Sequence, residues 1–151
     1  MFVLRRMVRS FSVEHRMLSQ LMAEYRRLVD RETFGDLDAL MKLRQGLGHL
    51  LKAHLHGEYA TLYPALIGSG DAETARIARS FEEGTVALMQ LYAEHRERWT
   101  AEAVRADWAG YRDAVLSAFA LLEHWIAREE SELYPLVVQS EALATPFSPA
   151  V

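Results

Sequence analysis

Apolar residues recur along this chain at intervals of three and four over four stretches, each closed by a turn signal. The first stretch runs from about Ser12, read as an N-cap, to about Asp30, with Val13, Leu18, Leu21, Met22, Tyr25 and Leu28 at helical spacing. Gly35 and Asp36 part it from a second, whose stripe carries Leu40, Leu43, Leu47, Leu50, Leu51, His54, Glu58 and Leu62. Gly-Ser-Gly-Asp at 68–71 stops that helix, and Asp71 caps the next. The third spans about 72–99, with Ile77, Phe81, Leu88, Leu91, Tyr92 and Trp99 on its apolar side, and a break at 100–107 leads to a fourth from Trp108 to Ser140. No stretch alternates with a period of two, as a half-buried strand would. Long helices on short connections pack as antiparallel neighbours, so the pattern predicts an all-α, up-down-up-down four-helix bundle. It predicts one domain over residues 1–140 and a loosely attached tail over 141–151, which ends ALATPFSPAV with two prolines.

Three of those stripes contain residues that a core normally excludes. His54 and Glu58 stand one turn apart on the second helix, and side chains at i and i+4 share a face. Glu129 lies on the stripe of Phe119, Leu122, Trp125, Ile126 and Leu133, and His15 is in line with Phe11, Leu18 and Met22. A lone residue of this kind is commonly a core histidine bonded to a carbonyl, or a glutamate escaping at the edge of its stripe. Several, on three helices of one bundle, make a nitrogen-and-oxygen metal site the better reading. The chain also writes one phrase twice: HLHGEYATLYP at 54–64 and HWIAREESELYP at 124–135 each open on a histidine, carry a glutamate six residues before a proline and close on Leu-Tyr-Pro. Pro64 and Pro135 lack an N–H and crowd the carbonyls of Ala60 and Ser131. Two readings follow: a bend that aims each glutamate inward, or a plain shortening of the helix before its loop.

Composition narrows the function classes. A chain of 151 residues that is half apolar supports one ordinary core. Its net charge of −4 argues against nucleic acid, and the N-terminal MFVLRRMV is too short and too charged for a signal peptide or membrane span. With no cysteine there is no disulfide, thiolate metal site or thiol catalysis, which fits a cytoplasmic protein. No histidine follows a glutamate by three residues, no HExxH occurs and no glycine-rich phosphate loop follows a strand, so ferritin-like, zinc-protease and nucleotide-binding chemistries find no motif.

The phrase HLHGEYATLYP, the Glu-His-Arg at 14–16 and the closing REESELYP resemble the hemerythrin-like (HHE cation-binding) family over essentially the whole chain. The resemblance implies a four-helix bundle around a non-haem di-iron centre, with histidines from each helix and two bridging carboxylates. It assigns His15, His54 and Glu58 as ligands and Glu129 as the second bridging carboxylate. In the fourth helix the family's histidine position, four before the glutamate, holds Trp125. His124 stands five before it, a spacing that oxygen-carrying hemerythrins use with aspartate, and a one-residue π-bulge would turn it inward, so His124 completes the predicted ligand set.

The third helix departs further. The family places two histidines there, four apart; this chain has His95 with Leu91 one turn earlier. Counting levels along the bundle puts the height of His54 near residue 84 or 85, and His95 about 15 Å beyond it, near Tyr25 and Trp108. The donors at that height are Glu82 and Glu83, with Glu82 nearer the apolar side. His56 is expected to face outward, and Tyr59, Tyr63 and Tyr134 to stand close enough to donate to the ligands. Such a carboxylate-rich centre implies iron, two ions with one or none as alternatives, and O2 or NO sensing, redox sensing or iron handling rather than O2 transport. The rival reading is a helical interaction module with a degenerate, metal-poor site. No catalytic motif marks the chain as an enzyme.

Overall fold

A computed structural model describes residues 2–144, with side chains over 3–139. Its helices are α1 (Phe2–Val29), α2 (Leu37–Gly57), α3 (Tyr63–Ile67), α4 (Ala72–Arg98), α5 (Ala101–Ala106), α6 (Trp108–Arg128) and α7 (Tyr134–Ala144). Two π-helical turns, π1 (Glu58–Leu62) and π2 (Glu129–Leu133), join α2 to α3 and α6 to α7 without a break. The chain therefore forms four long rods, α1, α2–π1–α3, α4 and α6–π2–α7, in an all-α bundle, and no strand occurs among the described residues. None of these helices is long and apolar enough to cross a membrane.

The turn chemistry of the sequence sets most boundaries. Asp36, Asp71, Thr100 and Asp107 each accept a hydrogen bond from the backbone N–H three residues on, capping α2, α4, α5 and α6. Gly70 takes φ +86 just before the Asp71 cap, a conformation that glycine adopts without strain. The predicted break at 100–107 holds the short helix α5, because its Thr100 cap nucleates one more turn. Ser12 is not a cap. The helix begins by Phe2, since nothing from 2 to 11 breaks it and Met7, Val8 and Phe11 carry the apolar stripe back to the lower core. Val13 and Leu91, expected on that stripe, are exposed. At the other end α7 continues to Ala144, and the remainder of the predicted tail, 145–151, lies outside the described residues.

The duplicated prolines explain the duplicated π turns. Pro64 and Pro135 cannot bond to the carbonyl four residues back, and a widened turn moves the ring off that carbonyl. The N–H of Tyr63 then donates to Glu58 O, and that of Tyr134 to Glu129 O, five residues back in each case. Within the widened turns the hydroxyls of Thr61 and Ser131 donate to the carbonyls of Gly57 and Ala127, at 2.5 and 2.8 Å. A π turn advances the following side chains by one residue. Tyr63 and Tyr134 are thereby buried directly behind the two glutamates instead of turning to solvent.

Two apolar clusters fill the bundle. One, around Leu18, Met22, Leu40, Leu55 and Phe119, occupies the end near the α4–α5 corner; the other, around Phe11, Leu62, Tyr63, Phe81 and Leu133, occupies the π-turn end. Trp125 touches both, its ring 5.2 Å from that of Phe81, and it lies over Gly84 of α4. A Cβ on Gly84 would overlap atoms Cη2 and Cζ3 of the indole. Gly84→Ala should therefore cost about 1–3 kcal/mol by overpacking. Combined with Trp125→Leu, the same change should become nearly neutral, so urea denaturation of the double-mutant cycle should return a clear coupling energy. Additive effects would contradict this packing.

Candidate metal centre

Four ionisable side chains are buried together where the two apolar clusters meet. His15 from α1, His54 at the end of α2, Glu58 opening π1 and Glu129 opening π2 are each at most 3 % exposed. His15 Nε2 and His54 Nε2 are 3.0 Å apart. His54 Nε2 lies 2.8 Å from Glu58 Oε1 and 3.8 Å from Glu129 Oε2, and His15 Nε2 lies 3.6 Å from Glu129 Oε2. One ligand atom each from His15, His54 and Glu129 fall within 4.8 Å of one another, a spacing that suits a single cation.

The outer nitrogen of each imidazole is held by a carboxylate. Nδ1 of His15 is 2.7 Å from Glu130 Oε1, and Nδ1 of His54 is 2.6 Å from Glu14 Oε2. A carboxylate only accepts, so both Nδ1 atoms are donors. That orients the rings and leaves the two Nε2 atoms pointing into the centre. The donor pair crosses helices: Glu14, beside His15, serves His54, while Glu130, beside Glu129, serves His15. Ser12 Oγ donates to the second oxygen of Glu130 at 3.1 Å.

Tyr134 reaches into the same space because π2 turns it there. Its hydroxyl is 3.1 Å from Glu58 Oε2, 3.1 Å from Glu129 Oε2 and 3.2 Å from His15 Nε2. One phenolic proton thus faces three acceptors. Burial first, then the charges of Glu129 and Glu58, push its pKa upward, so Tyr134 remains a donor. Tyr63 is likewise protonated and bonds to Thr85 Oγ1 of α4 at 2.6 Å.

The carboxylates do not satisfy each other. Glu58 Oε1 and Glu129 Oε1 are buried without a hydrogen bond; the 2.8 Å approach of His54 to Glu58 Oε1 is a close electrostatic contact lacking hydrogen-bond geometry. Burial, joined by the neighbouring Glu129, raises the Glu58 pKa to about 8, against the pull of His54. For Glu129 burial also pushes upward, but the neighbouring Glu58, His15 and His54 outweigh it and hold it at about 2. Burial by itself would lower His54; Glu129 and Glu58 outweigh it and raise the group to about 10. Without a metal the centre is thus balanced by protons on His54 and Glu58, in the place where a cation would serve. A divalent ion bound there would displace those protons and meet the two orphaned oxygens and the two Nε2 atoms, so the donor set fits a metal.

The sequence-predicted residues divide cleanly. His15, His54, Glu58 and Glu129 are brought together. His124 is exposed and stands apart from this group. The π turn that would have rotated it inward lies after Glu129 rather than between the two, because Pro135 and not the histidine sets its place. Glu83 is exposed and Glu82 only partly buried; the α4 side chains that enter the core at this level are Phe81 and Thr85, beside Gly84. Trp125 fills the adjoining space. His95 lies at the far end beside Tyr111, as level counting anticipates. His56 and Tyr59 face outward. Glu14 and Glu130 were not singled out by pattern, although each sits next to a ligand in sequence.

Comparison with curated proteins finds no match, and comparison with solved structures finds none. The Hemerythrin HHE cation binding domain family matches residues 6–137, a span that contains all four buried donors and both π turns. On that match, and on a bundle whose buried histidines and glutamates converge on one point, the chain belongs to the hemerythrin HHE cation-binding domain family.

Proposed function

We propose that this protein binds a single non-haem iron ion through His15, His54, Glu58 and Glu129, and uses it in O2, NO or redox sensing or in iron handling, rather than in O2 transport. One observation carries the reading: two imidazoles, each committed by a carboxylate at Nδ1, oppose their Nε2 atoms at 3.0 Å beside two buried glutamates. A proton on His54 can bridge the two nitrogens, and a cation in its place would engage both of them together with the glutamates. Mixed imidazole and carboxylate donors without thiolate suit iron. A single ion is favoured over the family's pair because, among the described residues, no histidine or carboxylate of α4 joins the converging group.

In this proposal iron supplies redox change and open coordination positions for a small diatomic ligand. The chain supplies the rest. Glu14 and Glu130 orient the imidazoles through their Nδ1 atoms. Tyr134 holds one proton ready at the centre, where it can be donated to an anionic ligand. Phe11 and Trp125 wall the space with carbon and keep bulk water out. A reducing cytoplasm is the setting that a chain without cysteine fits. One feature favours the rival reading of a metal-poor interaction module: Trp125 over Gly84 leaves an indole N–H without an acceptor where the family carries a histidine.

The two readings separate on His54→Ala. With iron bound, removal of His54 should abolish iron retention and erase the rise in melting temperature that Fe(II) gives the parent protein under anaerobic conditions. An interaction module would show no such rise in either protein. Glu130→Gln tests the supporting shell: iron affinity should fall by about 10–100-fold, with helicity unchanged by circular dichroism. An unaltered affinity would remove Glu130 from the account.

A further inference from the structure

Away from the four buried donors, α2 and α4 pack loosely against each other. The gap is a cavity of about 110 Å³, walled with carbon by Leu47, Leu51, Leu88 and Phe119. Tyr25, Arg44, His95 and Tyr111 line the same space and cluster together, the two phenols bonded to each other. A cleft of about 230 Å³ adjoins it through Arg44, Tyr92 and His95, adds His49 and Arg96, and has no carboxylate in its wall.

Arg44 is the unusual member. It is partly buried, and Nη1 donates to the carbonyl of Trp99 at 2.5 Å, at the end of α4. Among the described residues no aspartate or glutamate pairs with it. Its charge bears on its neighbours: burial first and then Arg44 lower the His95 pKa, which leaves that imidazole neutral. The hydroxyls of Tyr25 and Tyr111 bond to one another, and burial keeps both phenols protonated. A guanidinium, a neutral imidazole and two phenols therefore meet at the head of an apolar space with no protein anion to receive them. Arg44 has neutral partners in the Trp99 carbonyl and the Tyr111 hydroxyl but no carboxylate, and an anionic ligand with an apolar body would supply the charge partner while covering the carbon wall. The cavity is somewhat smaller than the roughly 150 Å³ apolar cavity known to take benzene, so the apolar body is short.

We propose that this space binds a small amphipathic monocarboxylate, its carboxylate on Arg44 and its short apolar stem between Leu47, Leu51 and Leu88. Tyr92, which lines both cavity and cleft, rests its hydroxyl against Gly48, where a Cβ would collide with it. The site is separate from the buried histidine–glutamate group and does not depend on its metal.

The test is an amide chemical-shift titration of the full chain with hexanoate, and with hexanol and acetate as probes lacking the charge or the stem. Hexanoate should shift the amides of Leu47, Leu51 and Leu88 and bind about tenfold or more tighter than either control. Arg44→Met should cost hexanoate a similar factor and leave hexanol unchanged, while Arg44→Lys should recover part of the loss. Because Arg44 also holds the Trp99 carbonyl, Ala118→Met gives a second route: it fills the cavity and should block hexanoate with Arg44 intact. Equal binding of hexanol and hexanoate, unaltered binding by Arg44→Met, or no shift at these amides would each overturn the proposal.

Discussion

Everything near the middle of this bundle answers to one electrostatic problem, the enclosure of two imidazoles and two carboxylates in a space almost free of water. Four Lewis bases so placed repel one another unless a positive charge lies among them. In the metal-free chain protons fill that role, which is why His54 is held protonated and Glu58 and Glu129 are driven apart in acidity. The surrounding architecture makes sense as support for that charge. Glu14 and Glu130 fix the imidazoles from outside, and the π turns set Tyr63 and Tyr134 behind the glutamates. The two apolar clusters above and below exclude the solvent that would otherwise relax the problem.

The centre is lopsided. α1, α2 and the two π turns supply every donor, while α4 and the end of α6 supply Phe81, Gly84, Thr85 and Trp125. Trp125 over Gly84 pairs a large side chain with a glycine and closes the bundle beside the buried donors. The consequence is chemical as well as steric. Two imidazoles and two carboxylates make a mixed nitrogen-and-oxygen donor set with no thiolate. Thr85 keeps α4 connected to the centre through Tyr63, so that helix takes part by hydrogen bonding and not by ligation.

Much of this was legible in the sequence, and the misses have physical causes. The four rods, the caps at Asp36 and Asp71 and the inward histidines and glutamates all follow from period and capping chemistry, which are local properties of the chain. The start of α1 was misread because Ser12 looks like a cap, yet a serine mid-helix can spend its hydroxyl on a distant partner, here Glu130. A π turn was anticipated to bring His124 inward; the turn exists, but proline fixes it one step later and so it serves Tyr134 instead. Glu14 and Glu130 were missed since their partners lie on other helices, and no spacing along one helix reveals a contact that crosses the bundle. Their adjacency to His15 and Glu129 is the signal that could have found them.

The far end of the bundle poses the opposite electrostatic problem, a guanidinium that no carboxylate pairs with among the described residues. The most direct test of the central claim is calorimetric titration of the metal-free protein with Fe(II) under anaerobic conditions, repeated in buffers of different ionisation enthalpy to count the protons released. The account requires close to one iron per chain, bound with net release of protons from the buried centre. Iron uptake without proton release, or no uptake beyond that of a His54→Ala chain, would contradict it.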